Sequence, residues 1–177
     1  MAAVAGHITS GATLAAAGIY NSAERAMLEL SPTASSPLIT AAGDWTFRLC
    51  PSDLEHGPAL AAWLRNRLGG ARANVLYAND AYGRGVVESF VGAFDRAGGD
   101  VVGSDPFLPV YVEQAGFLDP YIERAIARNA DALVIGGLAT EAVEVIRAAR
   151  RLGFGGPILG ADGLLGAEEA GPEGNGV

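Results

Sequence analysis

The chain has 177 residues, of which 50% are hydrophobic and 18% are charged. This balance excludes intrinsic disorder and allows a sizeable core in one or two small domains. The formal net charge is −8, and all 12 basic residues are arginines, which argues against nucleic-acid binding because that needs clustered cations to displace counterions from phosphates.

Short apolar runs alternate with helical patterns along the whole chain. The predicted strands are 2–6, 27–30, 45–49, 74–77, 100–103, 133–135 and 157–160. The predicted helices are 13–25, 58–68, 86–94, 119–126 and 140–152, with Pro58 in the first turn of its helix and Asp119 and Thr140 as N-caps. Segments 31–44 and 107–116 are predicted as loops. Strands that alternate with helices indicate βαβ units and a parallel sheet, which is the α/β class.

The pattern changes near Pro51, and this predicts a domain boundary. The strands and helices from 74 to 158 repeat regularly enough to form one self-sufficient sheet, whereas residues 1–50 supply too few elements for a core of their own. We therefore predict a first domain over 1–50, a second α/β domain over 51–165 and an irregular tail over 166–177. No apolar run reaches the length of a membrane span, and no signal peptide is expected.

Small polar residues follow five of the apolar runs, in segments 7–13, 31–37, 79–85, 136–141 and 160–163. Ligands of open α/β sheets bind outside the carboxyl ends of the strands, so this placement predicts a small-molecule site. Thr9 and Ser10 offer hydroxyls at a helix start, which suits an anion, and Asp162 suits an ammonium group. Each feature taken alone is equally explained by ordinary turn and cap chemistry.

Patterns typical of catalysis or of metal binding are missing from the sequence. There is no Gly-x-Ser-x-Gly motif, and the two histidines leave few candidates for a general base. Cys50 ends a strand that is expected to bury it. A single cysteine also predicts no internal disulfide and no zinc site of the cysteine–histidine type.

Six segments, taken in order, carry a resemblance: GHITSGAT (6–13), SPTASSP (31–37), Phe47–Arg48, Tyr82–Gly83–Arg84–Gly85, Gly136–Gly137 and Gly160–Ala161–Asp162–Gly163. The set resembles the Leu/Ile/Val-binding family of ABC-transporter solute-binding proteins. The resemblance implies the type I periplasmic binding fold, in which two parallel-sheet, Rossmann-like lobes enclose a ligand. Relatives extend further at both ends, so we expect a truncated chain with a partial first lobe and a nearly complete second lobe.

The resemblance also implies a function. It implies a periplasmic or otherwise extracytoplasmic, monomeric protein that binds a branched-chain or related amino acid and delivers it to ABC permease subunits in the membrane. No catalysis, cofactor or metal is implied. The alternatives are a ligand-sensing receptor domain of the same fold, for an amide or an aromatic acid, and a small α/β hydrolase.

The resemblance assigns ligand contacts to eight residues: Thr9, Ser10, Thr33, Ala34, Ser35, Tyr82, Leu138 and Asp162. Ser10 and Ser35 are expected to hold the ligand carboxylate. The backbone carbonyl of Thr33 and the Asp162 carboxylate are expected to hold its ammonium group. Two departures from relatives leave the exact ligand open: Leu138 stands where aliphatic-specific members often have an aromatic residue, and Asp162 is shorter than the Glu of some relatives.

Overall fold

A computed structural model of the chain describes residues 3–22, 24 and 26–174. The strands are β1 (Ala3–Ala5), β2 (Leu28–Ser31), β3 (Thr46–Arg48), β4 (Arg72–Ala78), β5 (Asp100–Phe107), β6 (Ala132–Gly136) and β7 (Ile158–Gly160). The helices are α1 (Ser10–Tyr20), α2 (Asp53–Asn66), α3 (Ala81–Arg96), α4 (Asp119–Ala127) and α5 (Ala139–Arg151). Short 3₁₀ segments cover Pro37–Ala41, Pro109–Tyr111, Asp162–Leu164 and Ala167–Gly174.

The strands form two parallel sheets, which confirms the predicted α/β class. The first has the order β1-β2-β3, and the second has the order β5-β4-β6-β7. Parallel strands point their carboxyl ends toward the same edge of a sheet, so the loops that leave those ends lie side by side. The predicted polar segments are therefore brought together by topology.

The second sheet is covered by helices on both faces, and β6 shows why its strands are continuously apolar. Successive side chains of a strand point to opposite faces. In β6, Leu133 and Ile135 contribute to the core under α4 and α5. Ala132 and Val134 contribute to the core under α2 and α3, where Phe90 is fully buried. A strand buried on both sides has no polar face.

Several predicted helix starts differ from the structure. The helix predicted from Pro58 begins at Asp53, because the Ser52 hydroxyl caps it by accepting a 3.4 Å hydrogen bond from the amide of Leu54. Thr140 is not the N-cap of α5, since that helix begins at Ala139 and the Glu141 carboxylate accepts from the amide of Leu138 at 2.8 Å. The N-cap position therefore falls on Leu138, whose own amide is satisfied by the carboxylate of the third helical residue, as in one half of a capping box.

Other boundaries also differ. Asp119 is the first residue of α4 rather than its cap. Helix α1 starts at Ser10, where a helix start was expected, and ends at Tyr20, before the predicted end at residue 25. Strand β5 continues to Phe107, four residues beyond the predicted end. The tail is ordered as 3₁₀ turns over Ala167–Gly174, and the rest of the predicted tail, 175–177, lies outside the described residues. Within the described ranges, no helix combines the length and apolar character needed to cross a membrane.

Candidate functional site

A cavity of about 260 Å³ lies where the loops after β1, β2, β4, β6 and β7 converge. It is lined by Ile8, Thr9, Ser10, Gly11, Thr33, Asp80, Tyr82, Leu138, Asp162 and Gly163. Loops of both sheets contribute, so the cavity is a cleft between the first sheet and the second sheet. The prediction that the polar segments gather at the carboxyl ends of the strands is confirmed.

One wall of the cleft is the N-terminus of α1. Thr9 is the N-cap, and its hydroxyl accepts from the amide of Ala12 at 3.3 Å. The Ser10 hydroxyl accepts from the amide of Ser36 at 3.2 Å, which ties α1 to the loop after β2. The first amides of a helix have no partner within it, and its N-terminus carries partial positive charge, so this wall suits an anionic group.

The opposite wall carries negative charge. The Tyr82 hydroxyl donates to Oδ1 of Asp162 at 3.0 Å and accepts from the amide of Gly163 at 2.8 Å. Asp80 also lines the cleft, but its Oδ1 accepts from the amide of Gly83 at 2.8 Å and caps α3. Asp80 therefore serves as a helix cap, and Asp162 is the candidate carboxylate for a cationic group of a ligand.

Burial, and next the charge of Asp162, raise the pKa of Tyr82 above its ordinary value. The hydroxyl therefore stays protonated and remains a donor to Asp162. Gly163 permits this arrangement, because a Cβ at that position would lie 2.4 Å from the Tyr82 hydroxyl oxygen and 2.6 Å from the carbonyl oxygen of Gly137. Any larger residue would push Tyr82 away from the turn.

Six of the eight predicted contact residues line the cleft, whereas Ala34 and Ser35 do not. Both are fully buried, and the Ser35 hydroxyl lies against the Asp53 carboxyl, whose pKa is raised by burial and only partly lowered by this contact. The Thr33 hydroxyl donates to the carbonyl of Ile8 at 2.6 Å. The ligand contacts of all eight residues stay predictions.

Sequence reasoning missed four residues that line the cleft: Ile8, Gly11, Asp80 and Gly163. Asp80 had a usable signal, because an Asp just before a helical pattern is a typical N-cap at the end of a strand. Ile8 had none, since an isoleucine beside a predicted strand reads as core, yet it is 71% exposed. Cys50 was expected to be buried and is half-buried.

Beside the cleft, the side chains of Asp53, His56 and Asp162 offer ligand atoms that lie within 4.8 Å of one another. Nδ1 of His56 is 3.3 Å from Oδ1 of Asp53 and 3.8 Å from Oδ1 of Asp162. The shorter distance is that of a weak hydrogen bond, so this contact is satisfied without a metal ion. The geometry places the His56 imidazole between the carboxylates of Asp53 and Asp162.

A larger groove, of about 630 Å³, follows the free edge of β7 in the described part of the chain. Its lining is mostly apolar and includes Leu60, Trp63 and Leu165. The groove lacks the paired donor and acceptor walls of the cleft, and the smaller cavity is therefore the candidate ligand site.

The parallel sheets and the cleft at their carboxyl ends are those of an α/β protein that holds a small molecule between loops. A sequence model described as periplasmic binding protein matches residues 1–174. The chain belongs to this family.

Individual relatives agree with this assignment. The Leu/Ile/Val-binding protein homolog 1 of Brucella suis is 29% identical over 177 residues, which cover 94% of this chain and 44% of the relative. The crystal structure of a leucine binding protein from Thermotoga maritima matches with a TM-score of 0.87 at 28% identity, covering 97% of this chain and 48% of that chain. A substrate-binding protein of Desulfitobacterium hafniense, in complex with Leu, matches with a TM-score of 0.71 at 28% identity, covering 89% and 46%.

These likenesses confirm the predicted type I periplasmic binding fold. The chain spans about half the length of the relatives it matches.

Proposed function

We propose that this chain is the solute-binding component of an ABC importer, that it acts outside the cytoplasm, and that it binds a branched-chain or related amino acid in the cleft. The names of the relatives support the amino-acid class, since they include Leu/Ile/Val-binding proteins and a substrate-binding protein in complex with Leu. The relatives are about twice as long as this chain, and we therefore extend their solute-binding role to this chain as a proposal.

The observation that carries the proposal is the opposite polarity of the two walls. The N-terminus of α1 offers amides and hydroxyls on one side, and Asp162, held by Tyr82, offers a carboxylate on the other. An amino acid is a zwitterion whose carboxylate needs donors and whose ammonium needs acceptors. The cleft meets both needs, and its volume of about 260 Å³ suits a small molecule, since pockets for drug-sized ligands start at roughly 300 Å³.

Two apolar side chains at the cleft support an aliphatic ligand side chain. Ile8 is 71% exposed and Leu138 is 42% exposed, and both line the cavity. Exposed apolar surface of this kind gains about 25 cal/mol for each Å² that a ligand covers. A leucine, isoleucine or valine side chain would cover it without presenting an unpaired polar group.

The proposed mechanism is binding without a chemical step. Ligand contacts from loops of both sheets would favour an arrangement in which the two walls close on the amino acid, and a membrane permease would recognise that closed state. One copy of the chain would hold one amino acid.

Thermal unfolding with a ligand panel tests the proposal. The purified chain is melted alone and with leucine, isoleucine, valine, phenylalanine or acetamide. A ligand at 100 times its dissociation constant adds about 2.7 kcal/mol to the free energy of unfolding, which raises the midpoint by roughly 5–10 °C for a chain of this size. We expect that shift with the branched-chain amino acids.

The matched variant is Asp162→Asn, which keeps the shape of the side chain and removes its charge. It should melt near the unmodified chain and show little shift with leucine. A cooperative melt that none of the three branched-chain amino acids moves at millimolar concentration would contradict the proposal, and a selective shift with acetamide would favour the receptor alternative.

A further inference from the structure

His56 lies one helical turn from Asp53 at the start of α2, and the two side chains share a face of that helix. Nδ1 of His56 is 3.3 Å from Oδ1 of Asp53 and 3.8 Å from Oδ1 of Asp162. The His56 side chain is 19% exposed, and that of Asp162 is 39% exposed. An imidazole thus stands between a buried carboxylate and the carboxylate of the cleft.

The network extends beyond His56 in two directions, to the loop after β2 and to one wall of the cleft. The amide of Asp53 donates to the carbonyl of Ser35 at 2.9 Å, and the Ser35 hydroxyl lies against the Asp53 carboxyl. At the other end, Oδ1 of Asp162 accepts the hydrogen bond from Tyr82. Side chains of four elements are therefore connected through His56, and a change in its charge acts on a residue that lines the cleft.

Among the residues that the structure describes, few other charges face this network. The titratable neighbours are Asp53 on the same helix, Asp162 after β7, Tyr82 on α3 and Cys50 after β3. Arg48 at the end of β3 is the nearby cation, but its guanidinium donates to the Ser36 carbonyl at 3.0 Å and to the Thr40 hydroxyl at 2.8 Å. The Asp53 carboxylate is fully buried, and burial raises its pKa, as expected for an anion that lacks a full counter-charge.

We propose that His56 is a positioning residue that couples its own protonation to the charge that Asp162 offers to the ligand, so that amino-acid binding weakens as the imidazole becomes charged. The inference rests on the proposed function. Imidazole is the side chain that ordinarily changes charge between pH 5 and 8. A positive charge 3.8 Å from Oδ1 neutralises part of Asp162 and repels a ligand ammonium, whereas neutral imidazole leaves the carboxylate fully available.

The test is the affinity for leucine by isothermal titration calorimetry at pH 8.0 and pH 5.5, with EDTA present so that divalent cations do not contribute. For the unmodified chain we expect affinity about tenfold weaker at pH 5.5. His56→Gln should bind leucine with the same affinity at both pH values. His7→Gln is the matched control, because it removes the other histidine of the sequence and should retain the loss.

Two results would overturn the inference: affinity in the unmodified chain that does not change with pH, or an equal loss in His56→Gln. The second result would assign the pH dependence to another group, Asp53 being the nearest. A structural role of His56 alone would lower affinity in His56→Gln at both pH values and leave its pH dependence intact.

If the unmodified chain binds no branched-chain amino acid at pH 8.0, the proposed function fails and a ligand-free measurement decides the coupling. The histidine ring resonances are followed by NMR through a pH titration of the unmodified chain and of Asp162→Asn. Removing an anion from beside the imidazole should make His56 titrate at lower pH and leave His7 unchanged. Identical His56 titrations in the two proteins would refute the coupling.

Discussion

The Tyr82 hydroxyl donates a 3.0 Å hydrogen bond to Oδ1 of Asp162 and accepts a 2.8 Å hydrogen bond from the amide of Gly163. One oxygen atom thereby joins the start of α3 to the turn after β7, two parts of the chain that are 80 residues apart. The ring is 8% exposed, so the pair is held by packing as well as by hydrogen bonds. Asp162 is oriented before any ligand arrives, which lowers the cost of binding.

Tyr82→Phe should weaken leucine binding about fivefold. The ring still fills its site, but Asp162 loses a donor and the amide of Gly163 loses its acceptor. A fivefold loss corresponds to about 1 kcal/mol, the worth of the one hydrogen bond that orients Asp162. Calorimetry at pH 8.0 measures the effect, and Tyr121→Phe is the control, because that ring stacks on Arg124 away from the cleft. Affinity equal to that of the unmodified chain would show that Asp162 needs no support from Tyr82.

The raised pKa of Tyr82 predicts that this tyrosine adds no phenolate absorbance when the folded chain is titrated to alkaline pH. The sequence has five tyrosines, and an ordinary tyrosine ionises near pH 10. Burial and the Asp162 charge raise the pKa of Tyr82 above that value. In the folded chain at about pH 11, Tyr82→Phe should therefore leave the phenolate absorbance unchanged, whereas in guanidinium it should remove one tyrosine's worth.

The same shift has a consequence for stability. A folded-state pKa above the unfolded one stabilises the chain below about pH 10, and this contribution is lost as the pH rises further. Stability should accordingly fall less steeply above pH 10 in Tyr82→Phe. In the absorbance experiment, a lower phenolate absorbance of folded Tyr82→Phe than of the folded unmodified chain at about pH 11 would contradict the burial of this hydroxyl.

Asp162→Ala should weaken leucine binding by about 2–5 kcal/mol, since a ligand ammonium would lose its paired charge inside a cleft. Asp162→Asn should lose most of the same free energy, because the amide keeps the shape but not the charge. Asp100→Asn provides the control. Asp100 is the first residue of β5, at the end of the strand away from the cleft; its side chain is 61% exposed and pairs with Arg72 at 2.9 Å. Affinity unaffected by the Ala variant would remove Asp162 from the site.

The fold was predictable because burial leaves a direct trace in the sequence. The run from Ala132 to Gly136 is apolar at every position, and the structure buries all five residues in the middle of a sheet with helices on both faces. Polar residues after such runs marked the carboxyl ends of the strands. Parallel topology then places those ends together without further information.

Long-range contacts were not predictable in this way. Asp53 and His56 lie far from Asp162 in the sequence, and no periodicity relates a position in the first turn of α2 to the turn after β7. The family resemblance assigned a ligand contact to Ser35, and no pattern in the sequence indicated that its hydroxyl lies beside the buried Asp53. The predicted start of α5 was wrong for a local reason: Glu141 accepts from the amide of Leu138, which makes Leu138 the N-cap and places Thr140 inside the helix.

Asp53→Asn should gain stability relative to the unmodified chain as the pH rises from 4 to 7. Burial raises the pKa of Asp53, and the Ser35 and His56 contacts only oppose that rise. A raised folded-state pKa stabilises the chain below the unfolded value of about 3.9, and the contribution is lost as the pH rises through the folded-state pKa. Asparagine does not titrate and has no such loss. The melting temperature of Asp53→Asn should therefore rise relative to that of the unmodified chain between pH 4 and pH 7.

Asp119→Asn should show the opposite trend and serves as the control. The Arg151 guanidinium holds the pKa of Asp119 below its usual range, so its contribution is present at neutral pH and is lost on acidification. If the melting temperature of Asp53→Asn instead fell relative to that of the unmodified chain between pH 4 and pH 7, the buried carboxylate would have a full counter-charge in the folded chain.

Two glycines of α3 should respond to alanine in opposite directions. At Gly83 a Cβ would lie 2.2 Å from the carbonyl oxygen of Ala78 and 2.7 Å from that of Gly136, and backbone atoms of two buried strands cannot yield. Gly83→Ala should destabilise the chain by about 1–3 kcal/mol and displace Tyr82 beside it. At Gly92 the added Cβ would meet only the flexible end of Arg96, at 3.4 Å.

Gly92→Ala should therefore stabilise the chain by up to about 1 kcal/mol, since alanine is the better helix former. Urea unfolding followed by circular dichroism measures both variants in the same helix. Gly83→Ala should also weaken leucine binding, because α3 must shift away from β4 and β6 and carry Tyr82 from Asp162, whereas Gly92→Ala should not. Equal effects of the two substitutions on stability would mean that α3 does not approach the sheet as closely as these distances require.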